Sequence, residues 1–78
     1  MYILSQDKSL LLEFGRIEIS RNLSSRRDEK FLLSAWGRGT DNPVSVGMFP
    51  DEDTAEIELQ KIVAALKSGA AVYEISAR

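Results

Sequence analysis

Seventy-eight residues, 44% of them apolar, with a formal charge of −2, describe a single globular domain: too short for two cores and too apolar for a disordered chain. The chain has no cysteine and no histidine, which excludes disulfides, thiolate or imidazole metal sites, and Ser-His-Asp or Cys-His catalysis. Of the staples that small domains use, subunit association remains, so a homo-oligomer is expected.

Tyr2-Ile3-Leu4 is a short apolar run, and Ser5-Gln6-Asp7-Lys8 supplies turn chemistry after it. Leu10, Leu12 and Phe14 then recur at period two, as a half-buried strand requires. The phase slips before Ile17 and Ile19, and Gly15 sits at the slip, where a bulge would return the apolar set to the core. Asn22 to Glu29 is polar and reads as a long hairpin loop. Phe31, Leu33 and Ala35 alternate with Leu32, Ser34 and Trp36 to give the next strand. Gly37 to Pro43 is dense in turn formers, and Val44, Val46 and Met48 alternate beyond it as a further strand. Loops this short make neighbouring strands antiparallel.

A helix follows. Asp51 is the natural N-cap, with Glu52 and Asp53 in the first turn, where the helix dipole favours anions. Ala55, Leu59, Ile62, Val63 and Leu66 fall within an arc of roughly 100° and form the expected core stripe. Lys67 suits the last turn and Gly69 the left-handed stop; Val72-Tyr73-Glu74-Ile75 is a final short strand, and Arg78 a frayed end. The expected fold is α+β, one domain over residues 1–78. Its curved antiparallel, half-barrel-like sheet of about five to six short strands is packed by one amphipathic helix, with a short strand after it.

Two surfaces stand out. Ile57 points about 160° away from Leu59 on the helical wheel. With Lys61 and Ala64 it makes a candidate oligomer interface on the outer helix face, although single exposed isoleucines are common. Between Arg16 and Arg38, six basic residues (Arg16, Arg21, Arg26, Arg27, Lys30, Arg38) stand against Glu18, Asp28 and Glu29. With Phe31 and Trp36 as stacking surfaces, that segment is the candidate nucleic-acid contact; the acidic pI of about 5.0 favours a solvated loop instead.

The five acids between Asp51 and Glu58 lack the alternating ligands and turn glycine of a calcium loop, and helix-start acids account for them. Gly37-Arg38-Gly39-Thr40 joins two strands, so it reads as a turn, not a phosphate cradle. No spacing pairs a nucleophile with a base, so neither catalysis nor a cofactor or metal is expected. No apolar run approaches the ~20 residues of a membrane span, and the first residues lack signal-peptide features, which points to the cytoplasm. Without export, the sequon Asn22-Leu23-Ser24 is a chance match.

The start Tyr2-Ile3-Leu4-Ser5-Gln6-Asp7-Lys8, the helix entry Gly47-Met48-Phe49-Pro50-Asp51-Glu52-Asp53-Thr54-Ala55 and the closing Val72-Tyr73-Glu74-Ile75 resemble a group of small uncharacterised bacterial and phage-encoded proteins. Asp51 stands where that group typically has Thr, and the loop Asn22–Lys30 is longer than its usual one. The resemblance implies the same strand–helix–strand layout and a phage-related setting, and it implies no activity. The function expected from the sequence is a non-enzymatic, self-associating interaction module with protein partners. The alternative is a nucleic-acid-binding accessory protein.

Overall fold

The apolar runs become strands in the computed structural model, which describes residues 1–23 and 26–77. They are β1 (Tyr2–Leu4), β2 (Leu11–Arg21), β3 (Phe31–Gly37), β4 (Pro43–Phe49) and β5 (Val72–Glu74), with α1 (Glu52–Lys67) between β4 and β5. Arg78 and the Ser24–Ser25 part of the hairpin loop lie outside the described residues.

The strands form one open sheet in the order β4-β3-β2-β1-β5. The first four pair antiparallel, as expected; β5 pairs parallel to β1, so the sheet is mixed. Parallel strands cannot be joined by a tight hairpin; α1 carries the chain from the β4 edge to the opposite edge, where β5 starts beside Tyr2.

Two register shifts bend the sheet. One falls between Phe14 and Arg16, where Gly15 is the extra residue, as the phase slip requires. The other falls opposite Leu33 and Ser34, where Val46 is the extra residue of β4, and it turns Val46 into the core. Helix α1 packs over β2, β3 and β4. The core is Ile3, Leu33, Ala35, Val46, Phe49, Ala55, Ile62 and Ile75. Gly47 makes room for it: a Cβ there would lie 2.9 Å from Ile75 Cγ2 and 3.1 Å from Phe49 Cε2.

The ends of α1 follow their sequence signals. Asp51 Oδ1 accepts the Thr54 amide at 2.7 Å, and the chain leaves the helix at Gly69 with φ +79°.

Although the sheet does not close, Gln6 ties the segment after β1 to the far edge. Its amide donates to Val46 O at 2.7 Å, and its side chain accepts from the Met48 amide at 3.0 Å. The same side chain donates to Met48 O and Ser76 O at 3.2 and 3.0 Å. Beside it, Asp7 Oδ1 takes hydrogen bonds from the Ser9 hydroxyl and amide and from the Ser5 hydroxyl. The Ser9 hydroxyl is the largest of the causes that lower the Asp7 carboxyl to about 2.

Candidate functional site

The buried side of α1 is the expected apolar stripe turned partly aside. Ala55 and Ile62 are buried and Leu59 packs against the core, but Val63 and Leu66 lie exposed, and the third buried position is Glu58, at 2% exposure. The helix is rolled toward β5, so a carboxylate enters where apolar contact was expected. Glu58 Oε2 accepts the Tyr73 hydroxyl at 2.6 Å and the Ser76 amide at 2.9 Å, so its desolvation is offset by two donors. Burial first, and then the bond to Glu58, push the Tyr73 phenol up to about 12. The pair fixes β5 and the segment beyond it against the helix. Among the described residues no group of three or more acidic side chains is placed to hold a metal ion.

The outer face of α1 is as the wheel places it: Ile57 is 54% exposed, and Lys61 and Ala64 are exposed.

The six cations do not form one surface. Arg16 is opposite Trp36 on β3, and Arg38 follows the end of that strand. Arg21 closes β2 opposite Phe31, its guanidinium 5.8 Å from the ring centre, and Arg26, Arg27 and Lys30 lie beyond it in the β2–β3 loop. Five strand residues, roughly 16 Å, separate Arg16 from Arg21. Phe31 also pairs with Phe49 at the end of β4, so the acidic start of α1 enters at the same end as the basic loop. Within that loop Arg26 is paired with Glu29 at 3.7 Å.

The sheet carries a third surface, which the sequence reading missed. Partners across a ladder share a face, so Tyr2 lies with Val72 and Glu13, and Leu4 with Leu11 and Glu74. This face is turned away from the helix, because Ile3, Leu12 and Tyr73 make the opposite one and Tyr73 reaches Glu58 on α1. Leu11 is 56% exposed, Val72 51% and Tyr2 42%, with Leu4 half-buried between them. They form an apolar stripe across β5, β1 and β2, rimmed by Glu13 and by the Lys8–Glu74 pair at 3.0 Å. The triplet Leu10-Leu11-Leu12 held the signal, since three consecutive leucines cannot all face one side of a strand.

Farther along the same face, a groove of about 320 Å³ opens beside the Gly15 bulge, lined among others by Arg16, Trp36, Arg38 and Asp41. The Arg16 guanidinium lies 4.4 Å from the centre of the Trp36 ring and donates through Nη2 to Glu18 at 2.7 Å.

No family model, curated protein or solved structure matches the chain. No helix among the described residues is long and apolar enough to cross a membrane.

Proposed function

We propose that this chain is a non-enzymatic, cytoplasmic interaction module that associates with a second copy of itself through the open face of the sheet. The observation that carries the reading is the stripe Val72, Tyr2, Leu4 and Leu11 on a sheet with its helix on the other face. Small two-layer domains gain most from covering such a face, and contiguous exposed apolar surface marks association sites. A second copy suits it because the rim carries both signs, the Lys8–Glu74 pair and Glu13 opposite Tyr2. A two-fold axis can set each sign against its opposite. The stripe is favoured over Ile57, Lys61 and Ala64 because three strands contribute apolar side chains to it, whereas the helix face offers one large one.

Sedimentation at about 50 µM tests this. The wild type sediments as a dimer or larger assembly, Leu11→Lys as a monomer, and Ile57→Asp as the wild type. A monomeric wild type removes the reading. Dissociation by Ile57→Asp alone moves the interface to the helix.

The nucleic-acid alternative draws its support from one place, where Arg16, Trp36 and Arg38 meet, and not from the whole basic segment.

A further inference from the structure

The groove beside the Gly15 bulge brings two arginines, an indole and a carboxylate to one exposed place. Arg16 is fixed from two directions, over the Trp36 ring and by Nε and Nη2 bonds of 3.2 and 2.7 Å to Glu18. A guanidinium held over an indole extends the aromatic stack by one planar layer and leaves its outer face free. Across the groove, Arg38 is exposed and has no ion-pair partner among the described residues; its Cγ lies 3.6 Å from where a Gly15 Cβ would be. That distance is ordinary van der Waals contact, so the Arg38 stem lies along the bulge.

The third charged group is Asp41, an exposed carboxylate on the same lining. It decides the ligand class. A ligand that is anionic throughout, such as an acidic peptide, gains from Arg38 and is repelled by Asp41. A ligand with one anionic end and a planar end that donates hydrogen bonds satisfies both. The geometry points to a binding site for a nucleobase–phosphate unit, with the base stacked on Arg16 over Trp36, its amino group toward Asp41, and the phosphate on Arg38. This deepens the nucleic-acid alternative by confining it to one site, and it does not rest on self-association.

The chain's single tryptophan is the probe. Trp36 fluorescence is titrated with AMP, adenosine, inorganic phosphate, an adenine-containing single strand of about ten nucleotides and an acidic peptide. The expected result is a saturable change with AMP or the single strand that weakens by about tenfold in Arg38→Ala and persists in Arg27→Ala. One phosphate contact gives a slope of about −0.7 in log affinity against log salt for the strand. Equal affinity for AMP and the strand identifies a free nucleotide as the ligand, and tighter binding of the strand identifies single-stranded nucleic acid; either supports the site. Three outcomes overturn it: no saturable response to AMP or the strand at about 5 mM, inorganic phosphate binding as tightly as AMP, or Arg38-dependent binding of the acidic peptide alone. Arg38 is exposed, so its variant should keep the wild-type unfolding midpoint, measured on the same sample. Leu11→Lys, which tests self-association, should leave the AMP response unchanged, so the two readings fail separately.

Discussion

The two faces of the sheet come from the same alternating strands and have opposite fates. On the helix side Ile3, Leu33 and Ala35 are fully buried; on the other, Leu11, Tyr2 and Val72 keep about half of their surface in water. The difference is not one of hydrophobicity, since both phases of β1 and of the start of β2 are apolar. It arises because one helix covers one face. In a chain this small, apolar residues on both phases mark a second surface as well as a core.

The sharpest way to separate the faces is to delete volume from the covered one. Leu33→Ala should cost roughly 2–5 kcal/mol in denaturant unfolding, because a fully buried side chain leaves a cavity behind. It should leave association intact under conditions where the variant is folded. Glu58→Ala comes next, at about 1–3 kcal/mol, since the Tyr73 hydroxyl and the Ser76 amide lose their acceptor. Glu58→Gln, which keeps an acceptor oxygen, should recover part of that loss.

A smaller effect is expected in alkali. The Tyr73 phenol stands at about 12 in the fold against an ordinary 10.0, so the unfolded chain releases this proton first. Its contribution is complete below pH 10 and is lost as the pH rises from 10 toward 12. Tyr73→Phe should flatten that decline in unfolding midpoint against pH. If it leaves the slope unchanged, the Tyr73 phenol is not the group behind the alkaline decline. Smallest of all for the isolated fold is Leu11→Lys on the open face, within about 0.5 kcal/mol in the same unfolding assay, although it should abolish association.

The local devices were legible in the sequence. Asp51 caps α1, Gly69 ends it and Gly15 marks a bulge, because each acts through its own backbone or one a few residues away. What escaped sequence reading depends on distant partners. Glu58 looks like one more helix-start acid until Tyr73 and Ser76, 15 and 18 positions later, supply its donors. Of the expected stripe, Ala55, Leu59 and Ile62 face the core, and the same roll of the helix turned Val63 and Leu66 outward. The parallel placement of β5 and the extra residue at Val46 are likewise set by tertiary packing. The candidate groove was half-legible: the cations and Trp36 were visible, but their division between two ends of the sheet needed the register.

The Gln6 clasp has a consequence for how the chain folds. Its side chain spans 42 positions to Met48 and 70 to Ser76, and β1 finds its second neighbour only in β5. Until β5 is in place, β1 presents a bare edge, an acceptor for any other strand, including β5 of a neighbouring chain. Docking of the last strand therefore closes this domain to strand exchange.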